Sequence, residues 1–137
     1  MQTGFFYIIL MNISEVAAMR FSWTTFRVSD LNKSIQFYSE VLGLQPMVRL
    51  GTESHRVVMF GADGTTKLEL VNEDGPIPEG VGAGVSIGFI PDDLDAFVDG
   101  LKAKGIPVVG PIAPDETIRF FFITDPDGYS VQLVEQK

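Results

Sequence analysis

Apolar residues recur along the chain in two alternating rhythms. From position 21 to 28 the pattern is strand-like, and Ser29-Asp30 then supplies a helix cap. Leu31, Ile35, Tyr38 and Leu42 follow at spacings of four, three and four, the signature of one apolar helix face, and Gly43 stops it. Strand-like runs come next at Pro46–Leu50, His55–Phe60 and Thr66–Val71, with Ala62-Asp63-Gly64 as the turn joining the last two. The pattern predicts a βαβββ unit.

The same order then repeats. Val85–Ile90 reads as a strand, Asp92-Asp93 caps a helix carrying Leu94, Phe97, Val98 and Leu101, and Gly105 ends it. Strands are expected at Ile106–Val109, Ile118–Ile123 and Ser130–Val134, with the turn Asp125-Pro126-Asp127-Gly128 before the last. Trp23 and Ser86, Leu31 and Leu94, and Glu69 and Gln132 are all separated by the same 63 positions, so the repeat holds its register throughout. The Gly- and Pro-rich stretch 75–84 links a module over about 19–74 to a module over about 85–135, the two forming one domain after an extension at 1–18. Neither four-stranded half covers its own sheet on both faces, so the modules are expected to associate, within the chain or across a homodimer.

Strand alternation assigns faces. If Leu68 and Leu70 lie under the helix, Lys67, Glu69 and Val71 face away; likewise Val131 and Leu133 turn Ser130, Gln132 and Val134 outward. Phe26 and Val28 leave Trp23, Thr25 and Arg27 on the free side, and Val85, Ile87 and Phe89 leave Ser86, Gly88 and Ile90. Four equivalent positions, Trp23, Glu69, Ser86 and Gln132, are therefore expected to converge in one concavity, the kind of surface that holds small molecules. Trp23 also reads as core filler and Glu69 as a hydrogen-bonded or surface carboxylate. Which members of Phe120-Phe121-Phe122 face the concavity stays open, because a triple run looks the same on both faces.

Composition narrows the chemistry. With no cysteine and a single histidine, His55, the chain cannot build a disulfide framework, a thiolate metal site, a thiol nucleophile or a multi-histidine site of its own. His55 follows Gly51-Thr52-Glu53-Ser54 and reads as a loop-edge surface residue. Eighteen acidic against ten basic side chains give a net charge of −8, which opposes nucleic-acid and anionic-membrane partners and suits solubility. No apolar run approaches the ~20 residues needed to span a bilayer. The short run Phe5–Met11 lacks the basic start of a secretory signal and reads as a packing arm, or as lying before a translation start at Met19; together with the absence of cysteine this points to a cytoplasmic protein. No phosphate-binding or dinucleotide-binding glycine fingerprint is present, and no cofactor is expected.

The paired modules, the opening Arg27-Val28-Ser29-Asp30-Leu31 with Phe37-Tyr38 and Leu42-Gly43-Leu44, and the Asp125-Pro126-Asp127-Gly128 turn resemble the vicinal oxygen chelate superfamily of glyoxalase I, bleomycin-resistance proteins and extradiol dioxygenases. The resemblance covers Met19 to about Val134 and implies an α+β fold, two βαβββ modules forming a curved mixed-sheet cup with helices on the outer face. It also implies four metal-ligand positions, His, Glu, His and Glu in the metal-dependent members. Here they hold Trp23, Glu69, Ser86 and Gln132, so one of the four matches and no tightly held metal is expected.

Three functions remain. The first is a metal-independent binding protein of the bleomycin-resistance type, with Trp23 and phenylalanines stacking on a ligand and Glu69 facing its positive group. The second is a glyoxalase-like lyase with Glu69 as general base, its pKa raised by enclosure against Trp23, and with Arg27 and Arg119 anchoring an anionic substrate. The third is an interaction domain whose cup is filled by its partner subunit.

Overall fold

The computed structural model describes residues 19–52 and 55–137, so the expected N-terminal arm lies outside the described residues. The first module comprises β1 (Trp23–Arg27), a helix α1 (Leu31–Gln36) that continues as a π-helical turn over Phe37–Val41, β2 (Pro46–Gly51), β3 (His55–Phe60) and β4 (Lys67–Glu73). The second comprises β5 (Ser86–Phe89), α2 (Leu94–Ala103), β6 (Val109–Asp115), β7 (Ile118–Thr124) and β8 (Ser130–Gln136). Both helices start where the caps predict, with Asp30 accepting from the Lys33 amide at 3.1 Å and Asp93 from the Ala96 amide at 3.0 Å.

The strands form two four-stranded sheets of the same order, β1-β4-β3-β2 and β5-β8-β7-β6, each with one parallel pair at the first position and antiparallel pairs beyond it. The parallel pairs repeat in one register, Trp23 pairing with Lys67 as Ser86 pairs with Ser130, and Thr25 with Glu69 as Gly88 with Gln132, whereas the outer pairs differ, Pro46 facing Phe60 but Val109 facing Phe122. Sequence and structure differ most at β6, which runs over 109–115 rather than ending at Val109. Pro111 and Pro114 read as breakers, yet β6 is an edge strand, where a residue without an N–H removes no ladder bond.

One core serves both modules. Phe26, Leu68 and Leu70 from the first sheet, Val131 and Leu133 from the second, and Tyr38, Leu94, Val98 and Leu101 from the helices form a single buried cluster. Among the described residues, the hydrogen bonds and ring stacks that join the modules run through the turn 125–129. Tyr129 stacks on Phe26 with ring centroids 4.0 Å apart and planes 2° from parallel, and its hydroxyl donates to the Arg27 carbonyl oxygen at 2.8 Å. Ser29 donates through its amide and hydroxyl to Asp127, and the wholly buried Tyr38 donates its hydroxyl to Asp125 at 2.8 Å. Asp125 also accepts the amides of Asp127 and Tyr129, each at 2.9 Å, so the Asp-Pro-Asp-Gly turn is a clasp.

Burial, reinforced by the charge of Asp125, raises the Tyr38 hydroxyl well above the ordinary tyrosine range, and burial likewise raises Asp125 despite the donors around it. An unfolded tyrosine ionises near pH ~10 whereas Tyr38 in the folded chain stays protonated there, so its stability contribution is complete below that pH and declines as pH rises further. Replacing Tyr38 with Phe deprives a buried carboxylate of a donor and is expected to cost about 1–3 kcal/mol in urea unfolding near neutral pH. The same variant should show a shallower fall of stability above pH ~10 than the parent chain. An unchanged denaturation midpoint would contradict the clasp.

Candidate functional site

Alternation along the strands puts Trp23, Thr25 and Arg27 of β1, Lys67 and Glu69 of β4 and, through cross-strand pairing with Glu69, Met59 of β3 on the face of the first sheet away from the core. Glu69 is half-buried, and its Oε1 accepts the Thr25 hydroxyl at 2.8 Å; Oε2 has no partner among the described residues. Trp23 is 53% exposed, which rules out the core-filler reading and leaves the chain's single indole on an open surface. It also leaves Glu69 without the enclosure against the indole that the sequence suggested. Arg27 is half-buried on the same face, its Nη2 donating to the Asp74 carbonyl oxygen at 3.3 Å, while its Nε is buried without a partner.

On the second sheet the corresponding face carries Ser86 and Gly88 of β5, Ser130, Gln132 and Val134 of β8, and Phe120 and Phe122 of β7, which pair with Val134 and Gln132 and meet edge to face at 5.5 Å. Phe121 and Ile123 go into the core, which resolves the triple phenylalanine. The same alternation corrects Arg119. It pairs with Glu135 on the helix-bearing side, where Asp95 of α2 engages it through both guanidinium nitrogens at 2.9 and 3.0 Å and Glu135 lies at 3.2 Å. That bidentate contact holds the Asp95 carboxyl below the usual carboxylate range, and Arg119 cannot anchor a substrate on the open face.

The four repeat-related positions thus form two pairs, Trp23 with Glu69 and Ser86 with Gln132, each on the open face of its own sheet. Among the described residues no hydrogen bond or ring contact joins one pair to the other. His55 is an exposed residue at the start of β3 whose Nδ1 lies 3.0 Å from Glu73 of β4, its cross-strand partner, and it makes no contact with Glu69 or Trp23. Thr25 is the site residue that sequence reasoning missed: alternation placed it on the right face, and only the parallel register shows that it, rather than Trp23, stands directly beside Glu69.

The donor set does not fit the divalent metal that the resemblance implies. An indole offers no lone pair, Ser86 and Gln132 are neutral, and the one carboxylate has an oxygen already bound to Thr25. Among the described residues no group of three or more His, Cys, Asp or Glu side chains could hold an ion. Equilibrium dialysis against nickel or zinc is expected to leave well below one ion per chain. Full loading of the chain would contradict the reading.

Comparison with known proteins agrees with this fold. The glyoxalase/bleomycin resistance protein/dioxygenase superfamily matches the chain over residues 20–133. A Vibrio parahaemolyticus protein named "Probable lactoylglutathione lyase" is 33% identical over 132 residues, spanning 83% of this chain and 88% of the relative. Among solved structures, TnmS3, an antibiotic binding protein from Streptomyces sp. CB03234, superposes with a TM-score of 0.72 at 26% identity, covering 89% of this chain and 99% of its own. The trypanothione-dependent glyoxalase I of Leishmania major gives 0.70 at 26% identity, covering 86% and 87%. An internal repeat of βαβββ modules of one strand order, with a match spanning nearly all of it, places the chain in the glyoxalase/bleomycin resistance protein/dioxygenase superfamily.

Proposed function

We propose that the chain binds an organic small molecule on the open sheet faces without a metal ion, as a cytoplasmic homodimer. The observation that carries this reading is the Glu69 carboxylate, fixed by Thr25 at 2.8 Å on the same sheet face as an exposed Trp23, with neutral Ser86 and Gln132 at the repeat-related positions. An exposed indole and the Phe120–Phe122 pair supply flat apolar surface, and a carboxylate with one unengaged oxygen supplies a single strong acceptor. A second copy is supported by the exposure of large apolar side chains, Trp23, Val85, Val109 and Ile112 among them. The antibiotic binding protein shares this fold, which is consistent with sequestration of a ligand.

The relatives favour a second reading, and they do so more strongly than they favour a pure binding protein: two of about one-third identity carry the name "Probable lactoylglutathione lyase". In that reading Glu69 removes the proton next to a substrate carbonyl through Oε2 while Thr25 holds Oε1, and Arg27 attracts an anionic end of the substrate. A general base of this kind typically contributes about 10²–10⁴-fold to the rate.

One assay separates the two. Lactoylglutathione formation from methylglyoxal and glutathione is measured with excess chelator, for the parent chain and Glu69→Gln. Turnover that persists under chelation and falls by about 10²-fold or more in the variant establishes the lyase. No turnover, with saturable quenching of Trp23 fluorescence by planar organic ligands, establishes the binding protein. Turnover abolished by the chelator would overturn metal independence in both.

A further inference from the structure

The internal repeat is broken at one place in space. In the first module Phe26 is covered by the Tyr129 ring, stacked at 4.0 Å, with the Tyr129 hydroxyl bonded to the Arg27 carbonyl oxygen. The repeat offset of 63 positions carries Phe26 to Phe89, Arg27 to Ile90, Leu70 to Leu133 and Tyr129 to Thr66. Thr66 brings no ring, and its hydroxyl donates to the Phe21 carbonyl oxygen at 3.3 Å. Asp125 and Asp127, which fix the turn carrying Tyr129, correspond to Ala62 and Gly64, which offer no carboxylate for a second clasp. Among the described residues Phe89 has no ring partner, and a groove of about 610 Å³ opens beside it, lined by Leu42, Leu44, Ile90, Phe97 and Leu133. Ile90 is 64% exposed there.

We propose that this groove is a second binding site, separate from the open sheet faces, for a small aromatic molecule that carries no negative charge. The occupied half of the repeat shows which shape such a position accepts: one flat ring stacked on a phenylalanine. The lining agrees, since the faces of a monocyclic aromatic molecule would meet Phe89 and the leucines. Charge agrees as well. Asp92 and Asp93 stand at the rim at the start of α2, in a chain of net charge −8, so an anionic ring would be repelled and a phenol or an aromatic amine would not.

The probe is 4-methylphenol, the side chain of tyrosine as a free molecule, titrated into the full chain while methyl resonances are followed by NMR. Saturable shifts in the millimolar range are expected at Leu42, Leu44, Ile90 and Leu133, with 4-methylbenzoate about tenfold weaker or worse. Two variants on exposed positions test the location. Ala96→Trp fills the groove and Ile90→Asp adds a rim charge; each should weaken binding by about tenfold or more while leaving the far-UV circular dichroism unchanged. Shifts centred on Trp23 instead, absence of saturation, or equal binding of the benzoate would overturn the proposal. So would movement of the same four methyl resonances, with no probe added, in the variant Phe5→Ser, Phe6→Ser, Tyr7→Ser, because the occupant would then be the chain's own apolar run.

Discussion

Each sheet has four strands and one helix, and one helix covers one face. Everything else follows from that constraint. The residues at even spacing under α1 and α2 are apolar because they share a core, Phe26, Leu68 and Leu70 in the first module and Phe121, Val131 and Leu133 in the second. Their neighbours in the strands face the other way by geometry, whatever they are. Trp23, Glu69, Ser86 and Gln132 are therefore presented on open surface as a consequence of burying the residues beside them, and Arg119 is withheld from that surface for the same reason.

The two modules carry the same strand order but not the same contacts. The turn 125–129 binds the second module to the first through Tyr38, Ser29, Phe26 and the Arg27 carbonyl, whereas the matching turn of the first module lacks the two carboxylates and the tyrosine that would return the favour. Buried Asp125 is satisfied by three donors, which is what makes a carboxylate tolerable at 5% exposure. Divergence between the halves thus appears both in the clasp, gained on one side, and in the groove beside Phe89, left on the other.

Much of the fold was legible in the chain because it depends on local rules. Caps at Asp30 and Asp93, the two helices and every strand but β6 lie where pattern places them. The constant offset of 63 extends that reading to long range, since it makes Glu69 equivalent to Gln132 and Trp23 to Ser86. What pattern could not supply was tertiary. The prolines of β6 signal a break unless the strand is known to be at an edge, and the phenylalanine run has no phase until Phe121 is seen opposite Leu133. The exposure of Trp23 and the partnership of Thr25 with Glu69 depend on which face is left uncovered and on parallel register, and neither leaves a mark in residue spacing. The clasp was partly visible, as the Asp-Pro-Asp-Gly motif, but its partners Tyr38 and Ser29 lie far away in sequence.

We propose that the four positions at which the resemblance implies metal ligands serve here, in a pair of chains, as a face for an organic molecule. A native mass spectrum of the protein as purified, sprayed from a volatile buffer without added metal, tests this most directly. The account predicts a species at twice the 15.0 kDa chain mass, carrying an organic adduct or none, with no mass increment of a divalent ion. A monomer, or a dimer carrying one nickel, zinc, manganese or iron ion per chain, would contradict it.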